Sequence, residues 1–138
     1  MGKKILIAAL CLIVLNASRC NRDGQIPFVQ VDFTLDLNLP SNLPLIAPSG
    51  WIYVSGGSRG IIVYRKNTDE FMAYDRHSTF NVDDACRVSV QEDNVLIADE
   101  CSDSKWVITD GSVVNGPATQ GLQQYSTIWN PPLLRVYN

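Results

Sequence analysis

Histidine is almost missing from this 138-residue chain: there is one, His77. A centre that needs two imidazoles from a single chain is thereby excluded. Basic residues are outnumbered by acidic ones, 11 against 14, so there is no electropositive surplus of the kind that nucleic-acid phosphates require. The longest apolar run, Ile5 to Leu15, has 11 residues, short of the roughly 20 that span a bilayer as a helix. Helical periodicity never extends beyond two turns, and there are no repeats or low-complexity tracts. The glycine-rich GGSRG (56–60) lacks the Lys-Ser/Thr pair and following helix of a phosphate loop; its glycines read as a tight turn. No serine sits in a glycine-flanked nucleophile elbow, so Ser78, Ser102 and His77 do not read as a hydrolase nucleophile and base. His77 itself reads as a polar loop residue. Asp83, Asp84, Asp99, Glu100 and Asp103 form an acidic group without EF-hand spacing; a solvated face is the plain reading and a hard-cation site the sharper one.

What is present begins with a processing signal. Lys3 and Lys4 precede the apolar run, and NASRC (16–20) follows it. A cysteine at this point resembles a bacterial lipobox, which implies acylation of Cys20. Arg19 departs from the small residue usual before that cysteine. Cys11 lies inside the run, where cleavage would leave too short a core. Ordinary secretion, with Cys20 a free thiol, is the alternative. The expected organisation is a signal peptide over 1–19, a lipidated tether over 20–27 and a β domain over 28–138. The chain is then a membrane-anchored lipoprotein of a bacterial cell envelope. Loss of Lys3, Lys4 and Arg19 leaves eight basic residues against 14 acidic ones, a net charge of −6. Contact with the membrane is therefore through the lipid rather than through charge, and nucleic acid is not a partner. Cys86 and Cys101 remain, and in an oxidising compartment they most simply form a disulfide.

The rest of the chain reads as short strands. In VQVDFTLDLNL (29–39), Val31, Phe33, Leu35, Leu37 and Leu39 share one face while Asp32, Thr34, Asp36 and Asn38 share the other. PSNLPLIAPSG (40–50) carries three prolines and reads as a loop. WIYV, IIVYR and FMAYD are strands separated by turns, and RHSTFNVDDA (76–85) is a loop. CRVSV, NVLIA and KWVI are further β-type runs. Asp110-Gly111 is a strong hairpin signal. LQQYSTIW and LLRVYN flank a break at Asn130-Pro131-Pro132. Many short strands with dense turns predict an all-β sandwich or barrel. Trp51, Trp106 and Trp129 are expected in the core and at its rim.

From about Gly50 to Asn138 the sequence resembles Rieske-type ferredoxin domains. The resemblance is carried by Ser104, Trp106, Asp110-Gly111, Gly116-Pro117-Ala118, Leu122 and Tyr125 in that order, and upstream by GGSRGIIVYRKNTDEFMAYDRHSTFN. It implies a Rieske-like antiparallel β-sandwich or barrel with a small loop-rich subdomain that in the family binds a 2Fe-2S cluster. Such a cluster takes two thiolates and two imidazoles, from a Cys-x-His and a Cys-x-x-His loop. Projected onto this chain, the four ligand positions fall on Ser78, Phe80, Asp99 and Ser102, none of them Cys or His. In many family members a second cysteine in each loop pairs with its counterpart. Cys101 falls on that position, and Cys86 comes a few residues later than usual. The expectation is a lipoprotein without cluster or other metal and without a catalytic residue, acting as a structural or partner-binding module, with another envelope protein as a partner. A 2Fe-2S electron-transfer protein or oxidoreductase subunit is the alternative.

Overall fold

In the computed structural model, which describes residues 24–138, the strands lie where alternation and β-branched runs predict them. They are β1 (Asp32–Asp36), β2 (Trp51–Val54), β3 (Ile61–Arg65), β4 (Phe71–Asp75), β5 (Val88–Val90), β6 (Leu96–Asp99), β7 (Lys105–Val107), β8 (Val113–Asn115), β9 (Gln124–Asn130) and β10 (Leu133–Tyr137). Every pairing is antiparallel. One sheet has six strands in the order β1-β10-β9-β4-β3-β2, the other four in the order β5-β6-β7-β8. The all-β expectation holds. The signal segment and Cys20 lie outside the described residues. Among the described residues no helix is long and apolar enough to cross a membrane.

Two strands fix the arrangement. β3 and β4 are buried at every position, which requires cover on both faces of the sheet. Alternate residues point to opposite faces, and they supply two cores. Ile61, Val63, Phe71 and Ala73 join Val31, Leu37, Leu45, Tyr125, Leu134 and Val136 where the six-stranded sheet curls around itself. Ile62, Tyr64, Met72 and Tyr74 join Val88, Ile97, Trp106, Ile108, Ala118 and Leu122, so the four-stranded sheet packs on the opposite face. Trp106 is fully buried, while Trp51 and Trp129 pack partly exposed against the two cores. Asp110-Gly111 turns the chain between β7 and β8: the Asp110 carboxylate accepts from both the backbone N–H and the hydroxyl of Ser112 (2.9 and 2.6 Å).

Three local readings change. The first strand ends at Asp36, before Leu39, which is exposed. The side chain and carbonyl of Asp36 take over there: Oδ1 accepts from Asn38 N–H at 2.9 Å, and the carbonyl accepts from Leu39 N–H at 3.1 Å and from the Asn42 side chain at 2.8 Å. The three-proline loop contains a 3₁₀ helix, Pro40–Ile46. Proline at its first position suits a helix start, and Pro44, inside it, has no N–H to donate to a continuing α-helical ladder; at seven residues the segment is long for 3₁₀ geometry. Contact with the domain also begins before residue 28: Gly24 N–H donates to the Thr79 carbonyl at 2.8 Å and Ile26 is buried.

The 3₁₀ helix is pinned by a buried cation. Arg65, the last residue of β3, donates to the carbonyls of Leu45 (3.0 Å), Ile46 (2.7 Å), Asn67 (3.1 Å) and Thr68 (2.5 Å). Its guanidinium carbon lies 5.0 Å from the ring centre of Phe71 and 5.4 Å from that of Trp129. Carbonyls, rather than a carboxylate, satisfy the charge. Arg65→Met would leave the buried Leu45 carbonyl without its donor and release the 3₁₀ helix from β3. Equilibrium urea unfolding should show a loss of about 3 kcal/mol; a change within about 0.5 kcal/mol is what a surface residue would give.

Candidate functional site

The site is built on the last residue of β4. Asp75 is completely buried, and its carboxylate has four donors. Oδ2 accepts from Ser58 N–H (2.6 Å) and the Tyr125 hydroxyl (2.7 Å); Oδ1 accepts from Arg59 N–H (3.2 Å) and His77 N–H (2.8 Å). One side chain thus joins the turn between β2 and β3, the start of β9 and the loop after β4. The turn needs glycine to allow this. Gly57 has a φ of +59°, and a Cβ there would fall on Asp75 Oδ2 and the Tyr125 hydroxyl. Burial, followed by the hydrogen bond to Asp75 and its charge, pushes the Tyr125 hydroxyl pKa up.

His77 does not lie free in its loop. It is buried, with Nδ1 2.8 Å from Ser58 Oγ and Nε2 2.8 Å from the Val82 carbonyl. A carbonyl only accepts, so Nε2–H is the donor to Val82. Ser58 rather than Ser78 or Ser102 is the serine it meets. Both ring nitrogens are satisfied by the protein.

The loop after β4 (residues 76–87) and the loop after β6 (residues 100–104) are joined in two ways. Cys86 and Cys101 form a disulfide, with Cα atoms 6.0 Å apart. Beside it, Asp99 turns inward. Its Oδ2 lies 3.0 Å from Ser78 Oγ and 2.7 Å from Ser102 Oγ, and its Oδ1 accepts from Cys101 N–H at 3.1 Å. Ser102 Oγ is also 2.9 Å from Ser104 Oγ, which accepts from Ala118 N–H at 2.9 Å. Three of the four projected ligand positions are therefore hydrogen-bonded to one another across the two loops. Phe80, the fourth, packs its ring against the second core. Of the acidic group, Asp99 is buried while Asp83, Asp84, Glu100 and Asp103 are exposed.

Cys86, Asp99 and Cys101 also bring one potential metal-binding atom each within 4.8 Å of the others. A disulfide, however, presents no thiolate, and the carboxylate oxygens of Asp99 already have protein donors. The donor set is two hydroxyls, a carboxylate and a phenyl ring. It does not match the two thiolates and two imidazoles of a Rieske centre. The link through Asp99 and the burial of His77 carry no local sequence signal: serine, aspartate and a single histidine in turn-rich segments read as solvated.

The remaining residues that carry the resemblance stand at load points of the packing. Trp106 Nε1 donates to the Gln120 carbonyl at 2.9 Å, Tyr125 reaches Asp75, and Leu122 and Ala118 lie in the second core. Neither a family model nor a curated protein matches this sequence. Solved structures do match its fold. The cyanobacterial plasma membrane Rieske protein PetC3 from Synechocystis PCC 6803 superposes with a TM-score of 0.54 at 20% identity, covering 80% of this chain and 100% of that one. The ferredoxin of carbazole 1,9a-dioxygenase from Nocardioides aromaticivorans IC177 does so with a TM-score of 0.51 at 11% identity, covering 80% and 98%. The fold is Rieske-like.

Two outcomes follow from this geometry. Replacing Cys86 and Cys101 together by alanine should lower unfolding free energy by about 3 kcal/mol, the chain-entropy value for a loop of about 15 residues, measured by denaturant titration. In alkali, stability should fall. The pKa values of Tyr74 and Tyr125 are both raised above the ordinary 10.0, primarily by burial. Above that pH the unfolded chain releases protons that the folded chain retains, so unfolding becomes easier as pH rises. Tyr125→Phe should make that decline shallower in unfolding curves taken on either side of pH 10.0.

Proposed function

Taking the Rieske-like fold as its starting point, we propose that this chain is an envelope lipoprotein whose β domain works without a 2Fe-2S cluster, as a structural or partner-binding accessory module. Cys20 carries the lipid, a short tether follows it, and the β domain takes in the packed residues from Gly24 onward. The membrane is contacted through the lipid, and a second envelope protein is the partner. No residue is assigned a catalytic role.

The observation that carries this reading is the Ser78–Asp99–Ser102 link. Where the family resemblance places metal ligands, these side chains hydrogen-bond across the two loops, while the sulfurs nearby are joined to each other. A buried hydrogen-bonded carboxylate and a covalent bridge hold loops that a cluster otherwise organises. The competing reading, a 2Fe-2S electron carrier or oxidoreductase subunit, draws on the two fold neighbours, a Rieske protein and a ferredoxin. It requires ligands other than the four projected positions.

Protein purified from its native envelope without reducing agent separates the two. The expected result is no stoichiometric iron by elemental analysis, no visible absorbance, a diacylglycerol-sized mass on the peptide that begins at Cys20, and a co-purifying envelope protein. Stoichiometric iron with a reduced-state paramagnetic resonance signal overturns the cluster-free reading. An unmodified Cys20 overturns the anchor.

A further inference from the structure

The residues from Gly24 onward carry seven cations: Arg59, Arg65, Lys66, Arg76, Arg87, Lys105 and Arg135. Three are already committed. Arg65 holds carbonyls, Lys66 pairs with Glu70 at 3.0 Å, and Arg135 pairs with Asp32 at 2.7 Å. Of the other four, three line one depression. Arg59, Arg76 and Arg87 surround a hollow of about 390 Å³ together with Tyr53, Ser55 and Ser58. In a chain with an acidic surplus, this local excess of positive charge is a feature that a neutral or cationic ligand would not explain.

The hollow is held in shape. Arg76 donates from Nε to the Val88 carbonyl (3.0 Å) and from Nη2 to Ser89 Oγ (3.2 Å), and its guanidinium lies 3.7 Å from the centre of the Tyr53 ring. The Tyr53 hydroxyl accepts in turn from Val90 N–H at 2.9 Å. The backbone of Arg59 is fixed by its N–H donation to Asp75, and that of Arg87 by its bridge to His77. Both of these side chains are exposed, and neither has an ion pair among the described residues. Two carboxylates belong to the surroundings. Asp75 lies beneath the turn with its four donors, and Glu100 attracts Arg76 while holding Ser89 Oγ at 3.1 Å. Three guanidinium groups against these two carboxylates leave a positive remainder. Arg76 has its pKa lowered by burial and by Arg87, with the charges of Tyr53 and Glu100 acting in the opposite sense.

We propose that this arginine-lined hollow is an oxyanion-binding site that takes a phosphate-class group, with Arg76 as the fixed floor and Arg59 and Arg87 closing from the rim. Guanidinium forks match tetrahedral oxyanions bidentately, and Ser55 on the wall offers a hydroxyl. The hollow is open and predominantly polar, which suits a charged group with part of its hydration and not an apolar molecule. The source of the group is a free phosphate ester or an anionic phospholipid headgroup. The site stands independently of whether the domain binds a cluster or a protein partner.

The test is titration of the whole isotopically labelled chain with inorganic phosphate at constant ionic strength, followed by amide shifts at Ser58, Arg59 and Gly60. Saturable shifts are expected, with a dissociation constant in the millimolar range. Arg59→Gln with Arg87→Gln should weaken binding at least about tenfold, the effect of losing roughly 1.4 kcal/mol of contact. Lys105→Gln should leave it unchanged. Because Arg59 and Arg87 are exposed, their replacement does not test folding. A parallel arm sediments phosphatidylglycerol and phosphatidylcholine vesicles with a soluble chain in which Cys20 is replaced by serine. Retention by phosphatidylglycerol alone, lost in the double variant, assigns the headgroup source; saturable phosphate binding without vesicle retention assigns the free ester. Shifts that follow ionic strength alone, or survive in the double variant, overturn the site. So does an acidic protein that binds through these arginines when neither phosphate nor phosphatidylglycerol does.

Discussion

One buried carboxylate sets the geometry on which the functional end of this domain depends. Asp75 closes β4 with no solvent contact and receives two backbone donors from the β2–β3 turn, one from the loop that follows it and one hydroxyl from β9. Burying such a group is unfavourable unless its acceptor sites are occupied. The donors therefore arrive as a set: if the turn moves, the carboxylate loses two partners and the loop loses its anchor. The glycine at position 57 follows from the same constraint; the Tyr125 pKa is raised first by burial and then by its bond to Asp75.

A second device ties the ends of the loops. The disulfide reduces the freedom of the open chain, but it constrains only two points. The Asp99 hydrogen bonds complete the link, joining Ser78 on one loop to Ser102 and Cys101 on the other. Ser104 extends the same network toward Ala118. Oxygen atoms and a sulfur bridge thus organise the two loops. The proposed loss of redox function is a statement about those donor atoms rather than about the fold, which tolerates different sites on one framework.

How much of this was legible in the sequence depends on how local each signal is. The period-2 alternation around Val31 to Leu37, the Asp110-Gly111 turn and the unbroken apolar runs of β3 and β4 are short-range patterns, and each yields the expected element. The strand beyond Asp36 was misread because the side chain of Asp36 captures Asn38 N–H, a competition that alternation does not record. The 3₁₀ helix was hidden by its prolines. The site was partly legible: family resemblance placed Ser78, Phe80, Asp99 and Ser102, and the cysteine count placed the disulfide. Their mutual hydrogen bonds were not legible, because Ser78 meets Asp99 only through the packing of separate loops. His77 and Ser58, or Arg59, Arg76 and Arg87, converge for the same reason: the β2–β3 turn and the loop after β4 meet at one end of the sheet.

The pairing of β1 with β10 has a further consequence. Asp32 faces Tyr137 and Asp36 faces Leu133, so the first strand of the large sheet waits for the last. During synthesis the β3–β4 ribbon can zip as soon as it emerges, whereas β1 has no neighbour until the C-terminal hairpin is made. Long-range closure of this kind slows the final step of acquiring structure, and it leaves Val31, Phe33, Leu35 and Leu37 without cover in the interim. The β1–β10 pairing can therefore form only once the C-terminal hairpin exists.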